Sequence, residues 1–284
     1  MATLELEARL DNLLSKAQAE TANIDLFVPI PKREECPICI IPLPLNDHEV
    51  VFMSSCCGKR VCMGCIHQNI STEIKNKGKQ RSRAEMKCAF CRQSPSSGQQ
   101  TIKVLKKLMK KNIPQAFMDM AERYRDGEEV FQSDTKSLEM RIRAAEVGHA
   151  NGYMHIGKHY SQGTAVVQDE SKALAFYEVA AKKGSVYARQ HLALFRGRNG
   201  DIQTSIAHMK VAACAGDQQS MDRLMKLYKE KVVSKDDLTQ TLRAFQASNK
   251  EVQSKDRDVA RLLEEARRKG EDPPFHLLGI NDLM

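Results

Sequence analysis

Eight cysteines between residues 36 and 91 constrain the fold of this chain more than any other feature. Eight thiols can fill the tetrahedral shells of two zinc ions, and the short turn of a C-x2-C spacing aims two thiolates at one metal. A disulfide framework is the alternative, but it belongs to oxidising compartments, whereas thiols inside a cell stay reduced. The sequence therefore predicts two structural zinc ions. Their candidate ligands are Cys36, Cys39, Cys56, Cys57, Cys62, Cys65, Cys88 and Cys91.

The first residues of the chain favour a soluble, intracellular protein. They lack the basic start and the apolar core of a secretory signal. Leu4, Leu10, Leu13 and Leu14, with charges between them, predict a short amphipathic helix instead. Nowhere in the sequence does an apolar run approach the roughly eighteen residues that span a bilayer. We therefore expect a cytoplasmic or nuclear location and no membrane partner.

The sequence beyond residue 100 repeats itself. The segments RAAEVG, VAAKKG and VAACAG end at Gly148, Gly184 and Gly216, so the spacing is 36 and then 32 residues. A pair of helices cannot bury its apolar face alone, and stacked pairs of this period predict an α-solenoid. Seven residues of the first unit return 36 positions later with the same identity: Tyr124, Gly127, Val130, Lys136, Leu138, Ala144 and Ala145.

Each repeat unit carries signals for the two ends of its second helix. Ser133, Asp169 and Asp201 are placed to accept a backbone N–H at the start of that helix. The closing glycine suits a left-handed residue at its end. The repeated tyrosines and alanines are expected in the core, and Tyr228 indicates a weaker fourth unit. Cys214, in VAACAG, is expected to be a small buried core residue.

The repeat unit resembles the Sel1-like repeat, a relative of the tetratricopeptide repeat. Residues 160–163, 166–173 and 180–184 read YSQG, VVQDESKA and AAKKG, and they match the family pattern Y-x-x-G, V-x-x-D-x-x-K-A, A-A-x-x-G. The first unit departs from the pattern at Ser133 and Ser137, and the third unit has lost the loop. Arrays of this family generally bind proteins, so the resemblance implies a surface for a substrate or an adaptor.

The cysteine-rich segment resembles a RING finger. The strings CPIC, C-G-x-x-x-C-x-x-C-I and C-x-F-C-R carry this resemblance. It implies two interleaved zinc sites that staple a segment too small to fold around its own core. A FYVE lipid-binding module is the nearest rival, but it has R-x-H-H-C-R where this chain reads MSSCCGKR. The RING pairing gives one zinc ion to Cys36, Cys39, Cys62 and Cys65, and the other to Cys56, Cys57, Cys88 and Cys91.

The adjacent Cys56 and Cys57 depart from the usual RING spacing. A RING usually places a histidine two residues after its third ligand, where this chain has Lys59. The all-cysteine RING subclass carries C-x-C-G at this point, and CCG resembles it without the spacer. We therefore expect both cysteines to bind zinc, with Gly58 supplying backbone freedom. The alternative leaves Cys57 as the ligand and completes the shell with His67 or water; otherwise His67 is expected to be an exposed helix residue.

RING fingers typically act as ubiquitin ligases, and the resemblance implies a RING-type E3 ubiquitin transferase here. Because both zinc shells would be closed and all eight thiols used, no catalytic residue is expected. The domain would instead position a ubiquitin-conjugating enzyme that is charged with ubiquitin. Ile38 matches the apolar residue with which the family contacts that enzyme. Arg92 matches the residue whose guanidinium hydrogen-bonds both enzyme and ubiquitin.

Several departures from the RING pattern keep other functions open. Lys59 and Ala89 replace family residues, and the chain has no Trp. These departures favour a non-enzymatic, zinc-stabilised interaction scaffold as the alternative.

Residues 73–111 hold twelve Lys or Arg and two Glu. This basic run lacks interleaved aromatics, so a solvated loop and helix is expected. Attraction to ubiquitin, acidic partners or nucleic acid stays open, and a nucleic-acid-binding zinc protein is the least favoured function.

The predicted fold is mainly α, with a small two-zinc cross-brace RING module followed by an α-solenoid of Sel1-like helix pairs. The final charged helix, which Asp272, Pro273 and Pro274 would end, is expected to form a lid on the last repeat. The predicted domains are an N-terminal amphipathic helix with its linker (1–33), the RING-type zinc finger (34–93), a linker with a basic helix (94–112), the repeats (113–248) and a C-terminal charged helix and tail (249–284).

Overall fold

The computed structural model describes residues 2–31, 33–44, 51–53, 56–77, 87–93 and 98–270. These residues form twelve α-helices and one two-stranded sheet, and none of these helices is long and apolar enough to cross a membrane. In chain order the elements are α1 (Ala2–Glu20), β1 (Val51–Met53), β2 (Arg60–Cys62), α2 (Met63–Lys77), α3 (Gln99–Lys110), α4 (Pro114–Asp126), α5 (Asp134–Glu146), α6 (Ala150–Gln162), α7 (Glu170–Lys182), α8 (Val186–Arg198), α9 (Ile202–Cys214), α10 (Gln218–Lys229), α11 (Lys235–Val252) and α12 (Lys255–Lys269).

The described residues belong to two compact units, and neither unit is continuous in sequence. The repeat unit combines Met1–Lys32 with Met109–Ser248. The cysteine unit combines Arg33–Leu108 with Asn249–Met284. Each unit therefore takes one end of the chain into a fold whose larger part comes from the interior of the sequence.

The repeat unit is a stack of helix pairs, as the sequence predicted. From α4 to α10 each helix packs on the next one along the chain. Apolar side chains from four consecutive helices, among them Leu138, Ile156, Phe176 and Leu192, share one buried cluster. Because this cluster is built by neighbouring helices, each pair depends on the adjacent pairs for the burial of its apolar faces.

The predicted helix starts are confirmed at the level of single hydrogen bonds. The side chain of Ser133 accepts the backbone N–H of the residue three positions later at 3.3 Å, and Asp169 and Asp201 do the same at 2.9 and 3.2 Å. Each bond satisfies a donor that has no partner within its helix, which stabilises the helix by about 1 kcal/mol.

The predicted helix ends are confirmed as well. Gly148, Gly184 and Gly216 have φ values of 89°, 98° and 91°, in the left-handed region that a residue with a Cβ adopts only at a cost. The hydrogen bonds of the loops also repeat. The backbone N–H of Ser133 donates to the Tyr124 carbonyl at 2.8 Å, and that of Asp169 donates to the Tyr160 carbonyl at 3.0 Å. The repeat read from the sequence is therefore a repeat of backbone geometry.

The tyrosines of the repeats are buried to very different degrees. Tyr160 is 1% exposed, stacks on Phe176 with ring centroids 5.7 Å apart, and donates its hydroxyl hydrogen to Glu7 at 2.7 Å. Tyr124 is half-buried, and Tyr228 is 39% exposed. The core role expected of this position is therefore confirmed in the second unit, while the fourth unit keeps the helices without burying its tyrosine.

The N-terminal helix α1 belongs to the core of the repeat unit. The amphipathic prediction is confirmed, because Leu10, Leu13 and Ala17 are buried among side chains of α5 to α8. At its polar edge the Lys172 Nζ atom lies 3.2 Å from the carboxylate of Glu7. Burial of one such leucine side chain stabilises the folded state by roughly 1.5–3 kcal/mol, because it removes apolar surface from water.

The segment after α1 continues along the repeats. Arg189, which is 1% exposed, donates to the Leu26 carbonyl at 2.5 Å and to the Ala181 carbonyl at 3.2 Å. The Phe27 ring lies 5.0 Å from the ring of the buried His208. Burial lowers the pKa of Arg189 to about 10, so its guanidinium stays charged near neutral pH and needs these acceptors.

The expectation of a buried Cys214 is wrong. This thiol is exposed at the end of α9, whereas the two residues before it, Ala212 and Ala213, are fully buried. Successive helical residues point about 100° apart, so the buried face that holds the alanine pair turns away from the next position.

The basic run is described in part. Residues 78–86 and the linker residues 94–97 lie outside the described residues, as does the Pro273-Pro274 stop. Helix α3 buries Ile102, Leu105 and Leu108, and its lysines lie on the exposed face. The solvated helix that the sequence predicted for residues 103–111 is therefore confirmed.

Candidate metal centres

The structure brings the eight clustered cysteines together in two groups of four. Within each group the sulfur atoms all lie within 4.8 Å of one another. The groups interleave along the chain as the RING resemblance implied, because the first and third pairs meet and the second and fourth pairs meet. The first group contains Cys36, Cys39, Cys62 and Cys65, and the second contains Cys56, Cys57, Cys88 and Cys91.

The sulfur spacings suit a tetrahedral metal ion. Zinc–sulfur bonds of about 2.3 Å at the tetrahedral angle place two sulfurs about 3.8 Å apart. In the first group the Cys36 and Cys65 sulfurs are 3.9 Å apart, and the Cys39 and Cys62 sulfurs are 3.8 Å apart. The second group is less regular, with 3.2 Å from Cys56 to Cys91 and 4.0 Å from Cys57 to Cys88. The donor set fits a metal ion that prefers thiolates.

The first cysteine pair forms a closed turn. The backbone N–H of Cys36 donates to the Ile41 carbonyl at 3.0 Å, and the N–H of Ile40 donates back to the Cys36 carbonyl at 2.9 Å. Ile40 has φ 59°, which is a costly conformation for a β-branched residue. The turn therefore holds a strained residue directly after its second cysteine.

The last cysteine pair forms the same turn. The backbone N–H of Cys88 donates to the Gln93 carbonyl at 2.8 Å, and the N–H of Arg92 donates back to the Cys88 carbonyl at 3.0 Å. Arg92 has φ 61° and so takes the place of Ile40. The Cys88 sulfur also accepts the N–H of Phe90 at 3.4 Å. Such N–H donors stabilise a thiolate, which is the form that binds metal.

The adjacent Cys56 and Cys57 reach the same group through a turn. In extended backbone two successive side chains point to opposite faces, which would separate their sulfurs. These two residues instead form a turn before β2, and Gly58 follows with φ 70°. This positive φ is the kind of backbone freedom that was expected of the glycine. Both thiols thus lie where the second group needs them.

His67, the alternative ligand considered for the second group, lies elsewhere. Its Nε2 atom is 3.7 Å from a carboxylate oxygen of Glu264, on α12. The prediction of an exposed helix residue is wrong, because 15% of its side chain is exposed. The reason is the C-terminal helix, which packs against α2 and covers this side of it.

Burial and crowding control the ionisation of the thiols. The hydrogen bond from Cys65, supported by Arg257 and opposed by burial, lowers the pKa of Cys62 to about 4. The same bond, together with burial, raises the pKa of Cys65. Burial, opposed by a hydrogen bond from the Lys59 backbone and reinforced by the charges of Cys88 and Cys91, raises the pKa of Cys57 to about 11. Four thiolates in one group therefore require a cation among them at neutral pH.

The core around the first cysteine group is small among the described residues. The buried cluster around the first group consists of three cysteines with Leu43 and Val61. Its sheet is the short antiparallel pair of β1 and β2, in which Val51 lies opposite Cys62. Because cysteines make up most of this cluster, the donor set and the packing around the sulfur atoms both fit a module that a metal ion stabilises.

The two residues assigned to the RING working surface lie on the two equivalent turns. Ile38 is 40% exposed, and Arg92 is exposed after the last cysteine. The Arg92 Nη1 atom donates to the Oδ1 atom of Asn69 on α2 at 2.5 Å. Asn69 in turn donates from Nδ2 to the Lys87 carbonyl at 3.2 Å. Sequence reasoning missed Asn69, because a single asparagine on a helix carries no spacing signal.

The C-terminal helix and Arg92 lie on different sides of α2. Gly64 and His67, three residues apart on one face, meet residues of α12. Asn69 follows His67 by two positions, which is about 200° around the helix. The sequence analysis expected α12 to form a lid on the last repeat. In the structure α12 packs against α2, within the cysteine unit.

Comparisons with known proteins return repeat folds. No protein-family model matches the chain, and no curated protein matches it. It is similar to the crystal structure of a Sel1 repeat protein from Oxalobacter formigenes, with 23% identity, a TM-score of 0.46, and coverage of 66% of this chain and 73% of the other. It is also similar to c5321, a protective antigen of uropathogenic Escherichia coli with an SLR fold, with 19% identity, a TM-score of 0.44, and coverage of 76% and 44%.

Proposed function

We propose that this protein is a RING-type ubiquitin ligase whose cysteine unit positions a ubiquitin-charged conjugating enzyme and whose repeats recruit a substrate or an adaptor. The observation that supports it most is the pairing of eight cysteines into two interleaved groups of four, with Ile38 and Arg92 exposed on the two equivalent turns. Stacked helix pairs present an extended surface, and this suits the recruiting role.

The metal would have a structural role. Zinc held by Cys36, Cys39, Cys62 and Cys65, and by Cys56, Cys57, Cys88 and Cys91, fixes both turns when it is bound and leaves no coordination position for water. The reaction, attack of a substrate lysine on the thioester of the conjugating enzyme, would then proceed by positioning. Ile38 would contribute an apolar contact to the conjugating enzyme.

Arg92 would have the central role in this mechanism. A guanidinium presents several donors in a fixed fork, so it can bond the conjugating enzyme and ubiquitin together. Its location fits, because it directly follows the second group and lies on the side of α2 away from α12. Hydrogen bonds from a charged donor are worth about 1.5–3 kcal/mol, which corresponds to roughly 10- to 100-fold in rate.

The test is ubiquitin discharge from a panel of charged conjugating enzymes. We expect the wild-type protein to accelerate discharge and Arg92→Ala to abolish most of the gain while two zinc ions stay bound. Arg92→Gly removes the side chain but suits the positive φ, so it separates the loss of the guanidinium from backbone strain. Arg261→Ala, which removes an exposed arginine of the same unit, is the matched control.

A non-enzymatic scaffold is the second candidate. Lys59 and Ala89 depart from the RING pattern, and Arg92 is already hydrogen-bonded to Asn69 within the chain. If folded, zinc-loaded protein accelerates discharge from no enzyme of a broad panel, the ligase proposal is overturned and the scaffold takes its place.

A further inference from the structure

Arg257, on the first turn of α12, is a buried cation beside the first cysteine group. Arg257 is 4% exposed. Its guanidinium contacts Cys39, which lies 218 positions earlier in the sequence. A charged side chain is rarely buried unless it is paired or fully hydrogen-bonded, because desolvation of a charge is expensive. The contacts of this guanidinium therefore show what holds it in the cysteine unit.

The guanidinium binds the backbone of the first turn and one of its sulfurs. Its Nη1 atom donates to the Pro42 carbonyl at 2.6 Å and to the Val252 carbonyl at 2.8 Å. Its Nη2 atom donates to the Ile41 carbonyl at 3.0 Å and to the Cys39 sulfur at 3.6 Å. The Ile41 carbonyl also accepts the Cys36 N–H that closes this turn, so Arg257 bonds the atoms that shape the ligand pair.

A glycine of the cysteine segment allows α12 to approach closely. Gly64 lies between the third pair of cysteines, and a Cβ added there would be 2.8 Å from the Arg257 nitrogen and 2.9 Å from the Asp256 carbonyl carbon. Real Cβ contacts with backbone are essentially never so short. A glycine at this point of the C-x2-C spacing therefore permits the contact with α12.

The charge of the cysteine group explains why a cation is useful there. Four thiolates around one divalent ion carry a net charge of about −2, inside a site from which water is mostly removed. A guanidinium that donates to one sulfur offsets part of this charge. Partners of metal ligands commonly change metal affinity by about 10- to 100-fold.

We propose that Arg257 is the charge partner of the first metal centre, so that α12 is an integral part of the metal module and its docking is coupled to metal binding at the first group. The second group, without this partner, is predicted to be independent of α12. This inference rests on the proposed zinc binding, but it does not depend on ligase activity.

The test compares substitutions at Arg257 in the full chain. The readout is the rate of zinc transfer to a chromogenic chelator, with stoichiometry followed by native mass spectrometry. We expect Arg257→Ala and Arg257→Gln to accelerate one of two release phases by about 10- to 100-fold. Arg257→Lys keeps the charge but loses the forked donors, so it should accelerate the same phase less than Arg257→Ala does. Arg261→Ala, on the exposed side of the same helix, is the control and should change neither phase.

The phases are assigned with a Cys88→Ser variant, which should lose the second zinc ion and keep the Arg257-dependent phase. Unchanged release in both phases, equal acceleration of both phases, or wild-type behaviour of Arg257→Gln would overturn the proposal. A wild-type protein that binds no zinc would instead overturn the proposed function. The two failures are therefore distinguishable.

A second measurement tests the coupling from the other side. Hydrogen exchange is followed in the full chain before and after chelation of zinc. We expect protection of the amides of α12 to fall when zinc is removed, while α7 of the repeat unit keeps its protection. Unchanged protection of α12 after complete removal of zinc would contradict the coupling.

Discussion

The Asn69 Oδ1 atom lies 2.5 Å from the Arg92 Nη1 atom, so the side chain proposed to bridge enzyme and ubiquitin is already engaged within its own unit. The asparagine also holds the Lys87 carbonyl, just before the last cysteine pair. A guanidinium has five N–H donors in a fixed fork. The donor that is bound to Asn69 must leave that bond before it can hydrogen-bond a partner protein. Asn69 is therefore expected to restrain Arg92.

The first prediction follows from this restraint. Asn69→Ala should raise the rate of ubiquitin discharge by about 2- to 10-fold, because a hydrogen bond of roughly 0.5–1.5 kcal/mol no longer competes. Asn69→Asp should lower the rate, because a carboxylate holds the guanidinium more strongly. Both variants should bind two zinc ions. A lower rate for Asn69→Ala, with zinc content intact, would make Asn69 a support for Arg92 instead of a competitor.

The second prediction concerns the adjacent cysteines. Because both sulfurs lie in the second group, Cys56→Ser and Cys57→Ser should each reduce the zinc content from two ions to one, as measured by native mass spectrometry. Cys214→Ser, at an exposed thiol, should keep both ions. Unchanged zinc affinity in Cys56→Ser alone would leave Cys57 as the ligand and exclude Cys56.

The third prediction concerns pH and the repeat unit. His159 is 4% exposed; its Nδ1 atom lies 2.8 Å from the Thr164 carbonyl, and its Nε2 atom lies 2.6 Å from the Arg141 guanidinium. The neutral ring therefore donates from Nδ1 and accepts at Nε2. Burial and the charge of Arg141 lower its pKa to about 4.

The sign of the effect follows from linkage. Below about pH 6.5 the unfolded chain binds a proton at this histidine that the folded chain does not, so stability falls between pH 6.5 and about 4. The loss from this residue is about 3 kcal/mol at most. Thermal unfolding at pH 7 and at pH 5 measures it, and His159→Gln should show a smaller decrease. An equal decrease in both proteins would exclude His159 as a source of acid sensitivity.

The parts of the fold that were predictable from sequence are those that local chemistry determines. A capping side chain, a left-handed glycine and a C-x2-C turn each act within a few residues, so Ser133, Gly148 and Cys36 could be assigned roles directly. The interleaving of the cysteines was also available, through a family resemblance. The prediction that Cys214 is buried was wrong. It was based on the neighbouring alanines, whereas exposure depends on the direction in which the side chain leaves the helix.

The parts that were missed depend on contacts between distant segments. The sequence shows that α12 is a charged helix, but it does not show which surface the helix will meet. Arg257 looks like one of many arginines until its guanidinium is found beside Cys39. In the same way, the bond from Arg189 to Leu26 joins residues 163 positions apart. Long-range pairing of this kind leaves no periodic mark in the chain.

The discontinuity of the two units has a consequence for biosynthesis. A ribosome adds about 5–20 residues per second, so Arg257 follows Cys39 by about 10–40 s. During that interval the nascent first cysteine pair has no charge partner, while the whole of the repeat segment is still being translated. The cysteine unit starts early and is completed last, and the cell must keep its thiols reduced and unaggregated over the time that separates the two events.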